Sequence, residues 1–160
     1  MELIIVYSDD EELANRIFNS VPCIKLAPSL AVTWEPEDRI RRAIEQVKDK
    51  VIRRWEERGK GPRLEFAVLA LSEDQFNAIR HIVRRALDDI ASRLAEELRR
   101  FAADVRRRRG PPGELKARFG RLAKRSSRLV EAALKLGLLT SAVAQVQEAL
   151  KEANAEVMKL

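Results

Sequence analysis

The stretch CIKLAPSLAVTW (residues 23–34) places two short apolar segments on either side of Pro28 and Ser29. Proline and serine are typical of tight turns, and the flanking segments have the length and alternation of β-strands. Two strands that follow each other directly, with no helix between them, indicate a hairpin within an antiparallel sheet. The elements on both sides of this hairpin therefore decide the fold.

A strand is expected at each outer end of this region. ELIIVY (2–7) is a short run rich in β-branched residues, and RLEFAVLAL (63–71) is a nearly continuous apolar run typical of a buried strand. Between the first strand and the hairpin, Ser8 and Glu11 have the spacing of a capping box. That spacing predicts a helix over about 9–20.

A longer helix is expected between the hairpin and the last strand, beginning at Pro36 and ending at GKGP (59–62). The resulting order of strand, helix, strand, strand, helix, strand is that of a ferredoxin-like unit, with four antiparallel strands and two helices on one face. We therefore expect an α+β fold. The apolar residues of the longer helix, at spacings of three and four, are Ile40, Ile44, Val47, Val51 and Trp55.

The residues beyond the last strand are expected to be helical. Ser72 followed by Gln75 predicts the start of a long helix whose apolar stripe reaches the arginines at 106–109. A helix of this length either kinks or packs its second half on another element. GPPG (110–113) then turns the chain into a helix over about 114–136. We accordingly expect an α+β domain over 1–109, which includes the long helix, and a helical extension over 110–160.

A last helix, capped by Thr140 or Ser141, carries the most regular apolar pattern of the chain. Its apolar residues alternate in steps of three and four, as in a leucine-zipper-like coiled coil or a helical bundle. Two interpretations are open: the seam joins two chains in a homodimer, or it packs on the long helix of the same chain. The dimer hypothesis assigns the contact to Leu139, Val143, Val146, Leu150, Val157 and Leu160.

Positive charge is concentrated in one part of the chain. The formal net charge is +6, and residues 101–135 alone carry 11 basic and 3 acidic side chains, a net charge of +8. The net charge of residues 1–100 is −1, and that of residues 136–160 is also −1. Charge gathered in this way indicates a nucleic-acid partner first and an anionic membrane second.

The helix expected over 114–136 gathers its cations on one side, opposite its apolar residues. One interpretation is a solvated helix face, with the preceding arginines complementing a helix dipole. The other is contact with phosphates, which exposed lysine and arginine bind with little sequence preference. A membrane fits less well, because no exposed row of bulky apolar residues is left to insert. The phosphate interpretation assigns the contact to Arg106, Arg107, Arg108, Arg118, Arg121, Lys124 and Arg125.

Both tryptophans stand beside basic clusters, a combination found in single-strand binders, which stack bases on aromatic rings within a basic groove. Trp34 ends a strand just before Arg39 and Arg42. Trp55 also fits a core position, because it lies on the apolar face of its helix, and for Trp34 either position is open. The residues that follow Trp55 in this second candidate surface are Arg58, Lys60, Arg63 and Phe66.

The layout resembles ThermoDBP, the single-stranded-DNA-binding family that takes the place of the usual OB-fold protein in some hyperthermophilic archaea. The resemblance rests on the four short strands with helices, on CIKLAPSLAVTWEPEDR (23–39) within them, and on the zipper-like last helix. It implies a homodimer that protects single-stranded DNA in replication and repair, with a cleft in the N-terminal domain that is apolar at its base and basic at its rim. By that similarity Trp34, Arg42 and Trp55 belong to the cleft.

Other classes of function find little support. Cys23 and His81 are the only cysteine and histidine, so neither a disulfide within the chain nor an ordinary zinc site is expected. The acidic run SDDEE (8–12) is more typical of a helix start than of a metal site. No catalytic constellation stands out, and we expect neither an enzyme nor a cofactor.

The start of the chain lacks the features of a secretory signal, and no apolar run is long enough to cross a membrane. A cytoplasmic protein is therefore expected. Two functions remain open: binding of single-stranded DNA or RNA without sequence specificity, and a scaffold subunit of a ribonucleoprotein. In the second case the basic stretch would meet RNA or an acidic protein.

Overall fold

The computed structural model describes residues 1–160 and has an α+β fold. A four-stranded antiparallel sheet and two helices come first, and three further helices follow. The chain forms two compact units, Met1–Val83 and Arg84–Leu160, which we call the sheet unit and the helical unit. The boundary expected from the sequence, between 109 and 110, lies at the turn after the long helix. The division into a domain over 1–109 and a helical extension over 110–160 stays a prediction.

The elements of the sheet unit agree with those expected from the hydrophobic pattern. The strand order in the sheet is β2-β3-β1-β4, and every pair of neighbours is antiparallel. The two helices that follow β1 and β3 pack on one face of the sheet. The bounds are β1 Glu2–Ser8, α1 Glu11–Ser20, β2 Cys23–Ala27, β3 Leu30–Thr33, α2 Glu37–Arg58 and β4 Leu64–Ala70.

The core of the sheet unit lies between that face and the two helices. Ile4 of β1, Ile17 of α1 and Ile44 of α2 are fully buried within it. Burial of one such side chain contributes about 1.5–3 kcal/mol relative to leaving it in water. The alternation of β1 that buries Ile4 turns Ile5 and Tyr7 to the opposite face, where both are exposed.

The capping box predicted from Ser8 and Glu11 is wrong. Asp10 is the N-cap of α1, and its carboxylate accepts a hydrogen bond of 2.9 Å from the backbone N–H of Glu12. Ser8 still belongs to β1, and its hydroxyl donates a hydrogen bond of 2.6 Å to the carbonyl of Arg63. The side chain of Ser8 therefore joins the two ends of neighbouring strands instead of opening the helix.

The long helix α3, Glu73–Arg106, is unbroken over 34 residues and passes from the sheet unit into the helical unit. Its predicted capping box is confirmed by two reciprocal hydrogen bonds between Ser72 and Gln75, of 3.2 and 2.9 Å. The helix does not break at the boundary, and its second part packs within the helical unit.

The helical unit consists of that second part of α3 together with α4, Pro112–Leu136, and α5, Ser141–Val157. Phe101 of α3 stacks on Phe119 of α4, with ring centroids 6.1 Å apart. Gly137 ends α4 in the left-handed conformation (φ 63°), which glycine adopts without strain. Thr140 caps α5 by accepting a hydrogen bond from the backbone N–H of Val143.

The apolar seam of α5 is used inside this unit. Val143, Val146 and Val157 are buried within the single chain, whereas Leu139 lies in the loop before α5 and is 65% exposed. Leu150 and Leu160 are partly buried. The homodimer through this seam stays a prediction.

Candidate nucleic-acid interface

In the sheet unit, two of the predicted arginines line a pocket of about 340 Å³ between the end of α1 and the first turns of α2. Arg39 donates a hydrogen bond of 3.1 Å to Glu35, and Arg42 donates one of 3.2 Å to Asp38. Arg42 and Asp38 are both exposed, and an exposed ion pair contributes about 0–1 kcal/mol, so a phosphate can replace Asp38 at little cost. Glu35, the partner of Arg39, is largely buried. The pocket is lined by Ser20, Val21, Pro22, Glu35, Arg39, Arg42, Ala43 and Gln46.

Trp55 lies at the surface, near the C-terminal end of α2, and is 46% exposed. Its indole N–H donates a hydrogen bond of 3.1 Å to the carbonyl of Pro62, so the polar edge of the ring is satisfied within the chain. A Cβ at Gly61 would lie 2.8 Å from the ring atoms Cδ1 and Nε1, which leaves glycine the only residue that fits without a shift. The loop after α2 thus holds the indole in place and leaves part of its surface open to solvent.

The surroundings of Trp55 suit a stacking platform. Ile52, one turn earlier on α2, is 43% exposed, and with Trp55 it forms an apolar patch that we call the Trp55 ledge. Stacking of a base on an exposed aromatic ring is independent of sequence and contributes about 1–3 kcal/mol. The core position that the helical pattern of Trp55 also allowed is not adopted. The basic residues Arg58, Lys60 and Arg63 that follow it are exposed.

The other two aromatic residues of the predicted surface, Trp34 and Phe66, are less exposed than Trp55. Phe66 packs against the core of the sheet unit, because β4 turns it to the helix-covered face together with Leu64 and Val68. The assignment of Phe66 to the binding surface stays a prediction. Trp34 follows the last residue of β3, is half-buried and does not line the arginine pocket.

The predicted cations of the helical unit divide into two sets. In the first set, each guanidinium is paired with a carboxylate. Arg118 donates a hydrogen bond of 3.1 Å to Asp104 and lies over the ring of Phe101, 5.3 Å from its centroid. Arg125 donates one of 2.7 Å to Glu97. Both arginines tie α4 to α3, so their positive charge is already compensated.

Arg106 also belongs to the paired set. It binds Glu152 and Glu156 of α5, and these hydrogen bonds, the one to Glu152 first, raise the pKa of its guanidinium. Glu156 also bonds Lys159, and the Lys159 and Arg106 contacts together lower the pKa of that carboxyl. Arg106 therefore joins α3 to α5 and is less available for a phosphate than the sequence suggested.

The second set is exposed and makes no ion pair. Arg107 and Arg108 occupy the turn after α3, and four cations follow one another on the outer side of α4. At about 100° per residue these four fall within an arc of about 60°, and at about 1.5 Å per residue they span about 21 Å. The four residues, which we call the α4 cation row, are Arg121, Lys124, Arg128 and Lys135.

Arg108 is the one non-glycine residue with a positive φ, 49°, at the position where a helix usually ends with glycine. Two backbone hydrogen bonds close the turn. The N–H of Arg108 donates to the carbonyl of Val105 at 2.9 Å, and the N–H of Arg109 donates to the backbone carbonyl of Asp104 at 3.0 Å. The left-handed conformation costs a non-glycine residue about 1–2 kcal/mol. Arg108, which forms no ion pair, is thus held in a strained turn directly before α4, the helix that carries the α4 cation row.

No three side chains of the histidine, cysteine, aspartate and glutamate type come together as a metal site. None of the helices is both long and apolar enough to span a membrane. No family model, curated protein or solved structure matches the chain.

Proposed function

We propose that this chain binds single-stranded nucleic acid, DNA in the first place, without reading its sequence. The observation that carries the proposal is the α4 cation row, because its four charges are exposed and none of them forms an ion pair. A phosphate backbone would supply the missing counter-charge and release condensed counterions on binding. Arg107 and Arg108, in the turn before α4, add two further exposed charges that form no ion pair.

A preference for single strands is supported by the sheet unit. Trp55 offers an exposed ring, and the pocket beside α2 is lined by Arg39 and by Arg42, whose ion pair with Asp38 is exposed and weak. Bases are free to stack on such a ring only when they are not paired in a duplex. We assign base contact to the Trp55 ledge and phosphate contact to the arginine pocket and to the α4 cation row.

The proposal includes the ferredoxin-like arrangement and the resemblance to ThermoDBP. The element order of the sheet unit and its strand order β2-β3-β1-β4 support the first. The second is supported by the aromatic and basic residues of the sheet unit, while the α4 cation row adds a contact that the resemblance does not imply. The role in protecting single strands during replication and repair is part of the same proposal and requires no catalysis.

The proposal is tested by fluorescence anisotropy of a labelled oligothymidylate and of a duplex of equal length, titrated with the chain at several salt concentrations. We expect tighter binding of the single strand, and a logarithmic affinity that falls linearly with the logarithm of salt concentration. For single strands each phosphate contact contributes about 0.7 to that slope. Replacement of the whole α4 cation row by glutamine should reduce the slope by about 3.

A matched control removes the same amount of charge elsewhere. The control replaces four exposed arginines of α3 by glutamine and should change the slope much less. Equal losses in the two variants would show that net charge, and not the α4 cation row, drives binding. Absence of binding at moderate salt would reject the proposal and favour the ribonucleoprotein scaffold. The control residues are Arg84, Arg93, Arg99 and Arg100.

A further inference from the structure

The sheet has two edges, and they differ in how they are protected. The β2 edge is short, lies between Pro22 and Pro28, carries Lys25 and has an irregular register between Lys25 and Ala27. A lysine and a bulge are devices that keep an edge strand from pairing with another chain. The β4 edge, LEFAVLA (64–70), has 7 residues in regular register, with no lysine, no proline and no bulge.

The hydrogen bonds of β4 show which backbone groups face outward. The N–H of Leu71 donates to the carbonyl of Met1 at 2.8 Å, in line with the register Glu2↔Ala70 and Leu3↔Leu69. Hydrogen-bonded and non-hydrogen-bonded pairs alternate along an antiparallel ladder. Glu65, Ala67 and Leu69 therefore bond to β1. The outward residues are Leu64, Phe66, Val68 and Ala70, and no group of the chain bonds their outward N–H and C=O.

We propose that this edge pairs with the β4 edge of a second copy, in antiparallel orientation about a twofold axis at Ala67. In this register Phe66 faces the partner's Val68 and Leu64 faces the partner's Ala70, so all outward N–H and C=O groups bond across the axis. Each pairing occurs twice, as a twofold contact requires. The proposal is independent of nucleic-acid binding and of the α5 seam.

The side chains of β4 are compatible with this self-pairing. Ala67 meets its own copy at the axis, where a non-hydrogen-bonded pair brings the two backbones to about 4.5 Å and a small side chain fits. Glu65 faces the partner's Leu69 and not a second Glu65, so like charges do not meet. Leu69 is 48% exposed and would lose part of that exposure. An edge contact of this size belongs to the weaker class of interfaces, so we expect a concentration-dependent dimer.

Sedimentation velocity of the full chain over a range of concentrations tests the proposal. The unmodified chain should shift from monomer to dimer. Ala67→Lys and Ala67→Glu should each raise the dimer dissociation constant by about a hundredfold, because two like charges then face each other at the axis. An equal mixture of the two variants should dimerise again. Ala27→Lys, the same substitution on the β2 edge, should leave the dimer unchanged.

Disulfide formation provides a second test. Its result is specific to one position of β4, so a misfolded variant could not imitate it. With Cys23→Ala as background, Ala67→Cys should form a disulfide-linked dimer on mild oxidation, since the facing Cβ atoms come within about 5 Å. Glu65→Cys in the same background should not, because it does not face its own copy. The proposal is overturned if the chain stays monomeric at all concentrations. It is also overturned if the chain dimerises but neither charge at position 67 weakens the dimer and Ala67→Cys forms no disulfide. In either case the edge would be left to pair with an extended segment of another protein.

Discussion

Arg118 of α4 donates a hydrogen bond of 3.1 Å to Asp104 of α3, whereas Arg121, one turn further along α4, has no carboxylate partner. The two arginines lie on the same helix and differ only in what surrounds them. Neighbouring cations of the basic segment therefore have different tasks: one set holds the helical unit together, and the other faces solvent.

The first prediction separates these tasks. Arg118→Ala should lower the free energy of unfolding by about 1 kcal/mol, because it removes an ion pair and the contact with Phe101. Arg121→Ala should change stability by less than about 0.5 kcal/mol and lower the salt slope of binding by about 0.7. Urea unfolding and anisotropy titrations measure both quantities. The division into two sets would be wrong if the two variants had equal effects in both assays.

The second prediction concerns Trp55. Trp55→Ala should weaken binding of a single strand by about 1–3 kcal/mol and leave duplex binding nearly unchanged. Trp55→Phe keeps a stacking ring but loses the hydrogen bond to Pro62, so it should retain most of the affinity. Quenching of tryptophan fluorescence on binding gives an independent readout. Unchanged single-strand affinity in a folded Trp55→Ala variant would leave the ledge without a role in binding.

The order of strands and helices could be predicted from the sequence because it depends on periodicity and on turn residues close in the chain. The pairing of the cations could not. Arg125 meets Glu97 and Arg106 meets Glu152, and these partners are 28 and 46 residues apart. A helical wheel shows only which cations share a side. Which of them find a carboxylate depends on how the helices pack.

Periodicity also predicted only part of the candidate site. The apolar stripe of α2 correctly placed Ile44 inside, but it also suggested a core position for Trp55, which the loop at Gly61 and Pro62 holds at the surface. In β4, the nearly continuous apolar run could not indicate that Phe66 faces the helices. A run that is apolar on both faces carries no alternation from which to choose.

The third prediction uses the strained turn. Arg108→Gly should raise the free energy of unfolding by about 0.5–1 kcal/mol, because glycine adopts a positive φ without strain and loses only part of that gain to chain entropy. The same change should weaken nucleic-acid binding and lower its salt slope. Arg107→Gly, at a position without positive φ, should not stabilise the fold. A loss of stability in Arg108→Gly would contradict this account of the turn.

The fourth prediction follows from Cys23. Burial raises the pKa of its thiol to about 11 from an ordinary value of 9.0, although the charge of Lys25 partly opposes the shift. A raised pKa means that the folded state holds the proton more tightly. The stability that this provides is complete below pH 9 and is lost as pH rises towards 11, by roughly 2–3 kcal/mol.

Denaturant unfolding of the unmodified chain and of Cys23→Ala, at several pH values from 8 to 11, isolates this effect from other groups that titrate there. The difference in stability between the two proteins should shrink as pH rises. The folded chain should also react slowly with iodoacetamide at pH 8, and the unfolded chain quickly. Rapid alkylation without unfolding would show that the thiol is accessible.

The fifth prediction distinguishes the two uses of the α5 seam. Val146 is fully buried in the single chain, so Val146→Ala should lower the free energy of unfolding by about 1–3 kcal/mol. Leu139→Ala, at an exposed position, should cost less than about 0.5 kcal/mol. Neither change should alter the sedimentation of the chain. A Val146→Ala variant that loses dimer mass but keeps its stability would assign the seam to a contact between chains.

The completion of the sheet at Ala70 has a consequence for synthesis. More than half of the chain is still to be made when Ala70 is added, and N-terminal units generally fold first. The unprotected β4 edge is then presented before the helical unit exists. Nascent chains on one messenger hold such edges close together, so pairing between copies is expected to begin during translation.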